Sequence, residues 1–144
     1  MNKLIQTIAF CFIFTSFVFG QSSQITEILE LNSATFKEKV WNFDKNKTFV
    51  REGKLPIILD FHATWCRPCK MLAPHLRAIQ NKYKGKLIIY KIDVDKNQEI
   101  ARRFNVEAMP TIVFIGSKTA YVSEVGYREY KEFDGLVKKH FGIK

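Results

Sequence analysis

Residues 57–70 read Ile57-Ile58-Leu59-Asp60-Phe61-His62-Ala63-Thr64-Trp65-Cys66-Arg67-Pro68-Cys69-Lys70. The opening five are apolar apart from one acid, the pattern of a strand covered on both faces. From Cys66 to Tyr83 the period changes, with Met71, Leu72, Leu76 and Ile79 recurring near one face of a predicted helix. A buried strand therefore feeds into a helix that begins with two cysteines. Cysteines three positions apart at a helix start share a face and can close a small disulfide ring. Unpaired backbone N–H groups and the helix dipole favour negative charge at the first of them, so Cys66 is the predicted nucleophilic thiolate. Cys69, one turn inside, is predicted to be less exposed and to act as the resolving thiol.

The same spacing would suit half of a zinc site. Zinc needs two further ligands, and His62, His75 and His140 supply no pair, so no metal and no cofactor are predicted. A purely structural disulfide is disfavoured because so small a loop removes little entropy from the unfolded chain.

Working outward, Ile25–Leu31 reads as a modest strand, and Ser33 as the cap of a helix over Ala34–Trp41. The polar stretch Asn42–Lys54 reads as a surface loop. Lys86–Val94 is a second central strand, and Asn97–Phe104 a short helix. Thr111–Ile115 and Ala120–Val125 are two β runs around a turn at Gly116-Ser117, and Glu129–Phe141 is a closing helix. This alternation predicts an α/β fold: a central mixed β-sheet with a parallel core and an antiparallel edge, flanked by helices.

Asp60 is the odd residue in its strand. An unpaired buried charge is costly, so Asp60 requires either an ion-pair partner such as Lys91 or a chemical role.

The chain resembles the thioredoxin family over nearly all of Ile25–Lys144. The resemblance rests on Ile58-Leu59-Asp60-Phe61, on Trp65–Lys70 with Pro74 after it, on Lys91-Ile92-Asp93-Val94-Asp95, on Met109-Pro110-Thr111 and on Gly126. It implies a thioredoxin fold over residues 21–144, and protein-disulfide reduction by the Cys66/Cys69 dithiol. Pro110 is then expected to follow a cis bond beside the cysteines, with the Met109 backbone free to pair with an extended substrate. Trp65 and Pro68 would shape the rim, Gly126 would join the substrate site, and Asp60 with Lys91 would move the proton of Cys69.

Two residues depart from the family pattern. Arg67 replaces the usual glycine. A fixed positive charge at roughly 6 Å from the Cys66 sulfur, in an effective dielectric of about 40–80, is worth on the order of 0.7–1.4 kcal/mol. For a two-electron couple that is about 15–30 mV toward the oxidising side, far short of the ~150 mV that separates strong oxidases from thioredoxin. His62 replaces the usual Trp, on the same strand face as Asp60, and is read either as a satisfied, partly buried side chain or as a group that tunes the site near neutral pH.

Met1–Gly20 carries one positive charge at Lys3, an apolar run from Leu4 to Phe19 and a polar stretch from Gln21, the layout of a signal peptide cut near Gly20-Gln21. The run is shorter than the roughly 20 residues that span a bilayer comfortably, so no stable membrane anchor is expected after cleavage. Cys11 would leave with it. The expected location is the periplasm or the exterior. The net charge of +9 is spread along the chain rather than clustered, which argues against nucleic-acid binding.

The preferred reading is a monomeric, exported protein-disulfide reductase with disulfide-containing protein substrates and an upstream thiol electron donor. A dedicated reductase for cytochrome c maturation is disfavoured by the short spacing from Cys69 to Pro110. Isomerase activity is disfavoured by the lack of a dimerisation segment, and a non-enzymatic module by the presence of both cysteines. The choice between reductase and oxidase turns on the reduction potential.

Overall fold

A computed structural model describes residues 27–143. Met1–Gly20 and the first residues of the expected Ile25–Leu31 strand lie outside them. The described chain forms β1 (Leu29–Glu30), α1 (Ser33–Lys39), β2 (Ile57–His62), α2 (Arg67–Lys82), β3 (Ile88–Asp93), α3 (Gln98–Arg103), β4 (Thr111–Ile115), β5 (Val122–Val125) and α4 (Tyr130–Phe141). Every residue of β2 is buried, as its apolar run predicts. It sits at the middle of a five-stranded sheet ordered β1-β3-β2-β4-β5. The pairings of β3 with β1 and β2 are parallel, whereas β4 pairs antiparallel with both β2 and β5.

Alternation along the strands divides the core into two layers. Ile57, Leu59 and Phe61 turn to one face and meet Phe36 of α1, Ile100 of α3 and Phe104. Ile58 turns to the other, against Leu72, Leu76 and Ile79 of α2 and Phe133 and Val137 of α4. Each of these large apolar side chains contributes about 1.5–3 kcal/mol by leaving water. The same alternation sends Asp60 and His62 to the face that α2 covers. Two charged or titratable groups are thereby placed beneath the helix that carries the cysteines.

Local chemistry corrects several sequence expectations. Asn32, not Ser33, caps α1: its Oδ1 accepts from the Thr35 N–H at 3.0 Å, and the Thr35 hydroxyl oxygen accepts from the Asn32 N–H at 3.0 Å. The Asn42–Lys54 connection is more than a surface loop, since Phe43 and Arg51 are buried within it. Phe43 stacks edge-on to Trp41, and Arg51 holds the far loop through Ser117 O and Lys118 O. β5 starts at Val122 rather than Ala120. Ser117 Oγ accepts from the Ala120 N–H, and Tyr121 turns into the aromatic cluster with Phe49 and Phe104, so the hairpin opens into a longer loop.

Candidate active site

Cys66 is the N-cap of α2, with an extended backbone, and its Sγ accepts a hydrogen bond from the Cys69 N–H at 3.2 Å. A disulfide joins the two cysteines, whose Cα atoms are 5.4 Å apart. Arg67 and Pro68 follow as the first two helical residues, both exposed. Proline fits there because it has no N–H to leave unpaired. When the disulfide opens, a Cys66 thiolate holds its charge at the positive end of a sixteen-residue helix.

The expectation that Cys69 is the less exposed of the pair is not met in this disulfide form. Cys66 is 4% exposed and Cys69 5%. The cause is local cover: both pack with Ala63 against Val94 and Met109.

Trp65 stands clear of that cover, 66% exposed, with its indole N–H donating to Asp95 Oδ2 at 2.9 Å. The Asp95 N–H in turn donates to Asp93 Oδ1. On the opposite side, the Met109–Pro110 peptide bond is cis. Pro110 is buried, and its carbonyl accepts from the Gly126 N–H at 2.8 Å. Gly126 has φ +94°, a conformation that an L side chain rarely adopts. The structure thus brings Trp65, Cys66, Cys69 and Met109 together around one disulfide, with Gly126 tied in through Pro110.

Beneath α2 lies a group of ionisable side chains. In the parallel register Asp60 faces Lys91, His62 faces Asp93, and Lys91 also faces Glu30. Asp60 is 1% exposed, and neither carboxylate oxygen has a hydrogen-bond partner among the described residues. Burial pushes its pKa up to about 7, and the Lys91 charge pulls only partly back. His62 is shifted the other way. Burial and the Lys91 charge lower its pKa, while Glu30 and Asp93 oppose the change. Burial would also raise Asp93, but hydrogen bonds from Lys96 and the Asp95 N–H outweigh it and hold that carboxyl below its ordinary value.

Four of these residues carry no role in the sequence reading: Glu30, Asp93, Asp95 and Lys96. Glu30 sits in a short apolar strand candidate, and only the β1–β3 register reveals that it shares a face with Lys91. Asp93 and Asp95 fall in a segment that carries the family resemblance, but their local bonds depend on the loop after β3. Among the described residues, no group of three or more His, Cys, Asp or Glu could hold a metal ion.

A disulfide between cysteines three apart at a helix N-terminus, on the helix that covers the face of a buried carboxyl of raised pKa, is the site of a thiol-disulfide oxidoreductase. Known proteins define the class more narrowly. The profile of the family described as Thioredoxin matches residues 27–139. A thioredoxin of Borreliella burgdorferi is 35% identical over 115 residues, covering 80% of this chain and 98% of its own. Thioredoxin H4 of Arabidopsis thaliana is 36% identical over 104 residues, covering 72% and 85%. A solved chloroplastic thioredoxin z shares the fold, with a TM-score of 0.63 at 24% identity over 81% of this chain and 96% of that one. The chain belongs to the thioredoxin family.

Proposed function

We propose that the chain is exported and reduces disulfides in proteins outside the cytoplasm, Cys66 attacking and Cys69 resolving. The observation that carries this reading is the placement of Cys66 at the N-terminus of α2, the helix that covers the sheet face carrying the buried carboxyl of Asp60.

The Cys66 thiolate attacks one sulfur of the substrate. A Cys66–substrate disulfide forms, the substrate S–S bond breaks, and the departing sulfur takes a proton. Cys69 then gives its proton to the Asp60 carboxylate and attacks Cys66 Sγ. The internal disulfide closes, the second substrate sulfur leaves as a thiolate, and two electrons have passed to the substrate. With a pKa of about 7, Asp60 is present in both protonation states near neutral pH, as a group that accepts and returns a proton requires. A thiol donor returns two electrons to the protein.

Met109 borders the disulfide, with Gly126 tied to the adjoining Pro110, where an extended substrate can pair with the main chain, a mode that tolerates many sequences. The exposed Trp65 offers an apolar face beside it. Between α2 and Pro110 the chain forms only β3, α3 and short connections, which supports a broad reductase over a dedicated cytochrome c maturation protein. The apolar Leu4–Phe19 run supports export. Among the described residues no helix is long and apolar enough to cross a membrane.

The deciding experiment is the reduction potential of residues 21–144 equilibrated against glutathione, with Cys66→Ser as control. A value within about 50 mV of −270 mV supports a reductase, whereas one near −120 mV makes the protein an oxidant and reverses the electron flow. A Cys69→Ser protein is expected to accumulate a mixed disulfide with its substrates, and Cys66→Ser is not.

A further inference from the structure

The resolving step leaves a proton on Asp60, which is 1% exposed and has to lose it before the next cycle. Its own oxygens touch no hydrogen-bonding group among the described residues. On the same sheet face, Lys91 and Glu30 follow it in register across β3 and β1. Beside them a cavity of about 330 Å3 opens to the surface, lined by Cys69, His62, Glu30, Lys91 and Lys70 among others. Water occupies roughly 30 Å3 per molecule and needs two or more polar partners, and this cavity meets both conditions.

His62 is one of the residues that line this space. It is two residues beyond Asp60 on the same face, 7% exposed, and its Nε2 is 3.4 Å from Glu30 Oε2. The imidazole nitrogen is thus held close to a carboxylate that favours its charged form. Glu30 is half exposed and also contacts Lys96 at 3.8 Å. Of the four buried side-chain polar atoms without a hydrogen-bond partner among the described residues, three are the two Asp60 oxygens and His62 Nε2. Their residues lie two apart on one face of β2, and His62 lines the cavity that reaches Cys69.

We propose that His62 and Glu30 form a proton path through this cavity, carrying the proton between the Asp60–Cys69 pair and bulk solvent during each redox cycle. The inference rests on the dithiol reading given above. The proton leaves Asp60, passes by way of cavity water to His62, and reaches solvent beside Glu30, so nothing is oxidised or reduced in the transfer. His62 holds the neutral form it needs for this task, because burial and Lys91 disfavour its charge. The groups facing it are Glu30 from β1, Asp60 from its own strand, Lys91 and Asp93 from β3, and Lys96 from the following loop; Lys70 of α2 lines the same cavity. His62 is thus a relay residue that acts through Asp60, not a group that touches substrate.

The test uses the reduced protein and a synthetic peptide with one internal disulfide, in single turnover. Acid quenching separates the appearance of the mixed disulfide from its resolution by Cys69. His62→Ala is expected to leave the first step unchanged and to slow the second roughly tenfold near pH 7, below the usual range for a direct general base. Millimolar imidazole, small enough for the vacated space, is expected to restore most of that loss. Glu30→Gln, a half-exposed change that leaves the core intact, is expected to move the rising limb of the second step to lower pH, because His62 loses the carboxylate that favours its charged form. A His62→Ala protein with an unchanged second step, or a slowed one that imidazole does not restore, overturns the relay. So does a Glu30→Gln profile that coincides with the wild type. Failure of the wild-type dithiol to form any mixed disulfide overturns the reductase reading and the relay together.

Discussion

Asp60 and Lys91 are register partners on the adjacent parallel strands β2 and β3, yet neither oxygen of the Asp60 carboxylate accepts a hydrogen bond from any described residue. A buried acid in that position is under-compensated. The lysine charge lowers its pKa, but loss of hydration raises it more, and the balance stands near neutrality. A closed ion pair would have held the acid ionised and removed it from proton exchange. The separation of charge from hydrogen bonding is what leaves Asp60 available as a base.

That balance has a consequence for stability. Asp60 binds its proton more tightly in the folded chain, about 7 against a model value of 3.8, so the folded state holds the extra proton between those two pH values. Stability therefore falls as pH rises through this window and levels off above it, by on the order of 4 kcal/mol at most. Asp60→Ala is expected to remove the slope, and to leave the protein more stable than wild type at pH 8 by about 1–4 kcal/mol after the cost of the lost packing. Urea unfolding of the oxidised proteins at pH 4.5 and pH 8 measures both. A wild-type midpoint that does not change between these values would show that Asp60 is ionised and compensated throughout.

Arg67 tests how far a single charge sets the electron affinity of the pair. It is exposed at the first position of α2, next to Cys66, so water screens it. Arg67→Gly is expected to lower the reduction potential by about 15–30 mV and to raise the Cys66 thiol pKa, through loss of a cation that favours thiolate. Thiol–disulfide equilibrium at low and high salt gives the answer, since the effect shrinks as ionic strength rises. A difference of 100 mV would mean that Arg67 organises the site by more than its charge.

The strands and the long helices were legible because their signals are local. The uninterrupted apolar run of β2, the change of period at Cys66 and the turn residues around β4 each lie within one short window. The cysteine pair was legible for the same reason. What stayed hidden depended on register or on competing side chains. Nothing in Leu29-Glu30-Leu31 says that Glu30 will face Lys91 and approach His62; that follows from a two-residue strand docking on β3. Asn32 and Ser33 both suit a cap, and the Thr35 hydroxyl, which completes the reciprocal bond with Asn32, decides between them. Burial of Phe43 and Arg51 was masked by the polar residues around them.

Asp134 of α4, also buried, has the opposite character to Asp60. Burial alone would raise its pKa, but hydrogen bonds from Lys138, Lys82 and the Tyr83 hydroxyl outweigh that and hold it well below the usual carboxylate range. These contacts tie α4 to the end of α2, with Tyr83 Oη 2.8 Å and Lys82 Nζ 2.6 Å from Asp134 Oδ1. Asp134→Ala leaves the buried Tyr83 hydroxyl without its acceptor and is expected to cost about 1–3 kcal/mol at pH 7. Because the folded pKa is depressed, the stabilisation is complete above the unfolded carboxyl value and is lost only as pH falls below it. Denaturant midpoints of the two proteins should therefore differ at pH 7 and converge toward pH 2; a constant gap would assign the loss to packing instead.

Trp65 separates recognition from architecture. Its ring is 66% exposed, and its one anchoring bond among the described residues, to Asp95, lies at the surface. Exposed side chains with a single neutral-to-charged hydrogen bond add little to folding, so Trp65→Ala is expected to change stability by less than about 1 kcal/mol. An apolar face of that size beside the disulfide is better suited to substrate, and binding that is equal in ground and transition states appears in KM alone. The variant is therefore expected to show a several-fold higher KM for protein disulfides with kcat nearly unchanged. Reduction of a small open-chain disulfide such as hydroxyethyl disulfide, which is too small to span the rim, should proceed at the wild-type rate. Asp95→Ala, which frees the ring without removing it, is expected to give a smaller rise in KM of the same kind. If both variants instead lower kcat for large and small substrates alike, Trp65 acts on the cysteines and not on the partner.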